Sequence, residues 1–360
     1  MNLEIKSILD KIEENGYEAY VVGGYVRDYL LGINSTDVDI CTNATPKKII
    51  KILNIKKETI NYGSINIQSN EYNFDITTYR KELSYDGHKP VKIEYVNNLI
   101  TDVQRRDFTI NSLCMNKNGK IFDFLNAMED LKNKIIKVIG NTEKKLMEDP
   151  LRILRAIRLA VVMDFNLDEE IILFIINHKK MIKDLSFTRK KEELDKIFSS
   201  KNVLKGLQLF KDLDLLWALD INYDKIVEVP DILGIWAQID FNNNYPFTKV
   251  NINIIKKIRS IIMKKRIDSY VLFKNGLYLS TVAGYILGYD IKEINSSYKK
   301  LVIHNPKELA ITNKDIINCL NIEPSPKIKI IYEDILRKVL DNNIPNDSLI
   351  IKEYILTNWK

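Results

Sequence analysis

Apolar positions recur at three- and four-residue steps over residues 3 to 14, a spacing that predicts an amphipathic helix, and then close up into Ala19-Tyr20-Val21-Val22, which predicts a short buried strand. Gly23-Gly24 ends that run. Val26, Tyr29 and Leu30 return to helical spacing, and Gly32 closes the helix. From Ser35 to Thr42 polar and apolar residues alternate, so a strand here carries Asp37 and Asp39 on one face and Val38 and Ile40 on the other. Pro46 opens a short helix to residue 53. Residues 60 to 68 and 72 to 79 read as a hairpin, and the polar residues 81 to 90, with Gly87 and Pro90, as a mobile loop and candidate lid. Asp107 or Thr109 is placed to cap a helix continued by Ile110 and Leu113.

The pattern changes near residue 140. Eight of the thirteen glycines lie in the first 140 residues, and the later spacing is helical. The expected fold is therefore α+β, with a small mixed β-sheet first and helices afterwards. The strongest helical stretch begins at Glu148-Asp149-Pro150. Proline suits a first helical position, and the two acids before it sit where the helix dipole favours them. Leu151, Leu154, Ile157 and Val161 then form an apolar stripe, while Arg152, Arg155 and Arg158 follow one position behind. Residues 168 to 177 and 188 to 199 read as further amphipathic helices. On the second, Arg189, Glu193 and Lys196 share a face, to pair with one another or to brace the arginine stripe.

Composition narrows the function. A formal charge of +6 and a pI near 8.8 permit a polyanionic partner without demanding one. The first residues carry acids through their apolar periodicity, unlike a secretion signal, and no window approaches the roughly 18 uncharged apolar residues of a membrane span. Membrane partners are not expected. Cys41, Cys114 and Cys319 lack zinc or redox spacing, which points to the reducing cytoplasm, and three isolated histidines argue against a histidine-based hydrolase or zinc enzyme. With no GxxxxGK[ST] loop, any nucleotide must be gripped differently.

Two constellations supply that grip. A strand, a double glycine and a helix start let backbone N–H groups approach a phosphate, with Arg27 one turn in to pair with it. Asp37 and Asp39, side by side, repel each other unless a cation lies between them, and Mg²⁺ takes such carboxylates together with phosphate oxygens. An exposed acidic strand end is the plain alternative. Asp75 is either a third acid of the cluster or the cross-strand partner of a lysine. Asp149 and Arg152 form an acceptor and donor pair: a carboxylate accepts from an exocyclic amino group while a guanidinium donates to the ring acceptor beside it. Cytosine and adenine present that order, and uracil and guanine the reverse. Three arginines alone would equally make a solvated basic face.

The order GGYVRD, DVD, RRDFTINSL, EDPLRILRAIR and then Arg189 to Leu194, spread over residues 20 to 200, resembles the class II tRNA nucleotidyltransferases, the bacterial CCA-adding enzymes, and the related bacterial poly(A) polymerases of the polymerase β-like superfamily. Weaker similarity follows at residues 308 to 315 and 340 to 346. The resemblance implies a head (1–140), neck (141–200), body (201–280) and tail (281–360), the tail contacting tRNA. It implies Asp37 and Asp39 as metal-holding catalytic residues, Gly24, Arg27 and Arg106 at the triphosphate, and Asp149 and Arg152 at the incoming base with Arg155 and Arg158 in support. Residues 80 to 90 match the family's flexible loop, needed by CCA-adding members for the final A, although the family usually has arginine where His88 stands. The expected reaction is template-independent addition of CCA to the tRNA 3′ end from CTP and ATP, with Mg²⁺ and without an obligatory protein partner. Poly(A) synthesis, partial A or CC addition, and non-catalytic tRNA or nucleotide binding are the alternatives.

Overall fold

A computed structural model describes residues 2–55, 60–61, 63–69, 71–86 and 89–360. They form two compact units, Met1–Asp220 and Ile221–Lys360. In the first, α1 (Leu3–Glu14) begins at Asn2, whose side chain accepts from the Glu4 N–H, and buries Ile5, Leu9 and Ile12. Then come β1 (Ala19–Val22), α2 (Gly24–Leu30), β2 (Asp37–Thr42), α3 (Pro46–Leu53), β3 (Ile60–Asn61), β4 (Ser64–Gln68) and β5 (Asn73–Thr78). After β6 (Arg80–Asp86), β7 (Lys89–Tyr95) and α4 (Leu99–Gln104), β8 (Cys114–Met115) and β9 (Ile121–Phe122) complete a seven-stranded sheet in the order β3-β4-β5-β2-β1-β8-β9. Only the β2 and β5 neighbours run parallel, so the sheet is mixed, as expected. Val38 and Ile40 of β2 are buried while Asp37 and Asp39 alternate to the open side.

Two local expectations are corrected. The stretch read as a loop is an antiparallel ribbon, β6 against β7, running from Arg80 opposite Tyr95 to Asp86 opposite Lys89. Its polar sequence lacks the apolar alternation by which a half-buried strand is recognised. Gly87 and His88 lie outside the described residues. Likewise Thr109–Asn111 makes a single 3₁₀ turn rather than the start of an α-helix, because the chain is taken into the sheet at Cys114.

The rest of the first unit is helical: α5 (Ala127–Asn133), β10 (Ile135–Ile136), α6 (Thr142–Glu148), α7 (Leu151–Val162), β11 (Asn166–Leu167), α8 (Glu169–His178), α9 (Lys180–Lys183), α10 (Phe187–Phe198), α11 (Val203–Asp212) and α12 (Leu216–Leu219). Around α7, burial extends beyond the expected stripe to Ile153, Ala156 and Ala160, and α10 and α11 pack on it. A buried leucine or isoleucine such as Ile153 contributes roughly 1.5–3 kcal/mol, and each alanine less. At Gly206 of α11 a Cβ would stand 2.6 Å from Ile197 Cγ2, so glycine sets how closely these helices approach. Lys190 is 0% exposed, and its Nζ donates to the carbonyls of Lys183 at 3.0 Å and Ala218 at 2.9 Å, closing the ends of α9 and α12.

The second unit contains helices Ile232–Ala237, Lys249–Lys264, Ser269–Leu287, Ile291–Lys299, Asn313–Leu320, Pro326–Leu340 and Ser348–Asn358. Its core gathers Ile316, Ile331, Ile335, Val339, Ile351 and Ile355. No described helix of the chain is long and apolar enough to cross a membrane.

Candidate active site

At the end of β1 the chain turns through Gly23 with φ 80° and ψ −141°. A Cβ there would sit 2.8 Å from Asp39 Oδ2, so only glycine lets the turn lie against that carboxylate. Both glycines line a cavity of about 300 Å³ together with Asp39, Arg106, Asp149, Arg152 and Arg155. The first β-strands, the segment after α4 and the start of α7 thus converge on one space. Arg80 and Glu82 of β6, Arg105, Asp107 and Asn111 complete its wall.

Asp39 lies opposite Asp75 in the β2–β5 register, and both share an adjoining hollow of about 550 Å³ with Asp37. Although Asp39 opens on solvent, the protein massed around it raises its carboxyl above the ordinary value; Arg106 opposes this and Asp37 adds to it. Burial, and then Asp39, raise Asp75 as well. Asp75 is held by the Ser64 hydroxyl and, at 3.5 Å, by that of Thr77. Asp37 accepts from the neutral Asn73 amide at 3.1 Å. Among the described residues no group of three or more His, Cys, Asp or Glu side chains encircles one metal position. Asp37 and Asp39, two residues apart on the open side of β2, are the carboxylates here that could take a cation together with substrate phosphates and water.

The arginines are positioned by buried acids. Asp102 is fully buried and receives Arg105 Nε at 2.8 Å, Arg106 Nη2 at 3.1 Å and the Arg80 N–H at 3.2 Å. Burial alone would raise its pKa, but the two guanidinium groups outweigh it and hold the carboxyl below its ordinary value. Asp107, whose surroundings likewise push its carboxyl up, is held low by Arg155, with which it pairs. Glu82 links Arg80 at 3.2 Å to Arg105 at 3.5 Å. Arg152 donates to the Lys145 carbonyl at 2.6 Å and lies 3.5 Å from Glu148. Asp149 accepts from the Leu151 N–H at 3.0 Å, which fixes the carboxylate at the mouth of α7.

The cavity brings together Gly24, Asp39, Arg106, Asp149, Arg152 and Arg155, while Asp37 opens on the adjoining hollow. Arg27 stands behind Gly24, held by Asp28 and by Asn111 at 2.7 Å. Arg158 turns to Glu193 of α10 at 2.9 Å, the bracing foreseen for that helix. Sequence reasoning gave no role to Arg80, Glu82, Asp102, Arg105, Asn111 or Lys145, although Arg105 and Asn111 fall within the RRDFTINSL motif. Arg80 and Glu82 left one trace, a spacing of two that puts both on one face of a strand.

The family description "Poly A polymerase head domain" matches residues 19–137, "Probable RNA and SrmB- binding site of polymerase A" matches 164–219, and tRNA nucleotidyltransferase domain 2 matches 247–355. The chain is a tRNA nucleotidyltransferase, a class dependent on divalent metal ions. The CCA-adding enzyme of Ligilactobacillus salivarius is 32% identical, over 98% of this chain and 95% of its own length. That of Staphylococcus aureus (strain MRSA252) is 30% identical over 98% and 97%. The chain belongs to the family of CCA-adding enzymes. Its fold matches the Bacillus stearothermophilus CCA-adding enzyme in complex with CTP, with a TM-score of 0.84, 23% identity, and 99% and 98% of the two chains covered. The Thermotoga maritima CCA-adding enzyme complexed with tRNA gives 0.71, 20%, 99% and 96%.

Proposed function

We propose that this chain adds CCA to the 3′ end of tRNA from CTP and ATP, without a nucleic-acid template, and that Asp149 and Arg152 choose the base. The observation that carries this reading is the shared cavity: Asp39 and the Asp149/Arg152 pair line the same space. In each cycle the RNA 3′-hydroxyl oxygen bonds to the α-phosphorus, the bond to the β-phosphate oxygen breaks, pyrophosphate leaves and the hydroxyl proton passes to solvent. Arg106 and its neighbour Arg105, held in place by Asp102, bind the triphosphate and offset its charge. Mg²⁺ held by Asp37 and Asp39 would lower the pKa of the hydroxyl and neutralise charge on the leaving group. A base offering donor and acceptor in the wrong order sets acceptor against the Asp149 carboxylate or donor against the Arg152 guanidinium, at a cost of roughly 1–3 kcal/mol. Residues 1–140 then act as a catalytic head, 141–200 as the neck that reads the base, 201–280 as the body and 281–360 as a tail that holds tRNA. The setting is the cytoplasm, where the free thiols Cys41, Cys114 and Cys319 stay reduced.

The test is to give the purified protein a tRNA ending before CCA, Mg²⁺ and all four nucleotides, and to sequence the products. Growth by C, C and A is expected. A tract of A, or growth by A or CC alone, would replace this reading with its relatives. Asp37→Ala should abolish incorporation of both nucleotides while leaving tRNA binding near normal, and retained incorporation would overturn the metal assignment.

A further inference from the structure

Lys145 of α6 touches both halves of the site and has had no role so far. Its ammonium donates to three successive carbonyls, Gln104 at 3.2 Å, Arg105 at 2.9 Å and Arg106 at 3.1 Å. These belong to the end of α4 and the two residues after it, where helical carbonyls lack partners and the dipole favours positive charge. A lysine has three donors, so the match of three to three is complete. From the other side, the Lys145 backbone carbonyl accepts Arg152 Nη1 at 2.6 Å. One residue therefore holds the backbone that carries Arg105 and Arg106, and also the guanidinium of Arg152.

We propose that Lys145 is a positioning residue that fixes the phosphate-side arginines relative to the base-reading Arg152, so that triphosphate grip and base choice act on the nucleotide as one unit. This rests on the nucleotidyl-transfer reading above. Burial, and then the nearby charge of Arg152, push the Lys145 ammonium down to about 8; Glu148 on its own helix, Glu82 of β6 and Asp107 oppose them. Above that pH the clamp loses its charge and one of its three donors. Base discrimination and nucleotide KM should then worsen together. Unfolding is not the cause: a lysine whose pKa is lower in the fold than in the unfolded chain, where it is near 10.4, makes stability rise with pH between the two values.

The experiment measures KM for CTP, and the ratio of C to U incorporation on a tRNA ending before CCA, from pH 6.5 to 9.5. Three proteins are compared: wild type, Lys145→Met and Lys145→Arg. Wild type should lose discrimination with a midpoint near 8. Lys145→Met should show roughly tenfold poorer discrimination and KM already at neutral pH, as expected from losing charged hydrogen bonds. Lys145→Arg, which keeps its charge, should stay flat through pH 8.5, below the ionisation of the uracil N3–H itself. The inference is overturned by a wild type whose discrimination is flat from pH 7 to 9, by a decline in Lys145→Arg that parallels wild type, or by a folded Lys145→Met that discriminates normally. Should Lys145→Met fail to fold, the first two comparisons decide. A wild type that incorporates nothing would instead remove the nucleotidyl-transfer reading itself.

Discussion

Gly23→Ala isolates the contact between the β1 turn and Asp39, the carboxylate proposed for catalysis. The added methyl carbon would lie 2.8 Å from Asp39 Oδ2, where ordinary contact begins at 3.4 Å, so the carboxylate must retreat by about 0.6 Å or the turn must open. The backbone opposes the change as well, because φ 80° with ψ −141° is a region nearly reserved for glycine and costs an alanine about 1–3 kcal/mol. A misplacement approaching 1 Å in catalytic geometry costs on the order of 100-fold in rate. Gly16→Ala is the control: its φ is 82°, yet nothing lies within 4 Å of the added carbon. Both variants should melt a few degrees lower, about 2–4 °C per kcal/mol for a unit of this size. Only Gly23→Ala should lose about two orders of magnitude in kcat for CTP incorporation, measured in single turnovers with saturating tRNA. A Gly23→Ala enzyme within threefold of Gly16→Ala would refute the reasoning.

Three further substitutions probe other parts of the unit. Arg152→Ala should narrow the preference for CTP over UTP by roughly 1–3 kcal/mol in a competition assay, and an unchanged ratio would count against base reading by this residue. Asp102→Asn removes the charge that holds Arg105 and Arg106 and should cost about 3–5 kcal/mol in urea unfolding at pH 7. Because the Asp102 carboxyl titrates below its ordinary value, its contribution is present above about pH 4 and fades as pH falls through the folded pKa. The gap between variant and wild type should therefore shrink from pH 7 to pH 3, and a constant gap would contradict the pairing. Gly206→Ala should cost roughly 1–3 kcal/mol through the clash with Ile197 while leaving kcat per folded molecule unchanged; wild-type stability would disprove the close approach.

Local elements were legible where one face of a helix or strand is buried. The spacing of Ile5, Leu9 and Ile12 gave α1, and the alternation of Val38 and Ile40 with Asp37 and Asp39 gave β2. Legibility failed where order comes from partners far along the chain. Lys190 reads as a surface charge on α10, yet carbonyls of residues 183 and 218 enclose it. Asp102 reads as an ordinary helix acid, yet Arg80, Arg105 and Arg106 converge on it. Pairwise motifs announced Asp37 with Asp39 and Asp149 with Arg152, because chemistry confines those partners to a short stretch. The buried acids that aim the arginines carry no such signature.

The enclosure of Lys190 also makes it a reporter. An amine-reactive reagent, or a protease that cuts after lysine, can reach its ammonium only when α9, α10 and α12 part, whereas Lys196 on the same helix has a side chain 53% exposed. The ratio of labelling at these two lysines, read by mass spectrometry in undisturbed cells, would gauge how often this helical layer breathes.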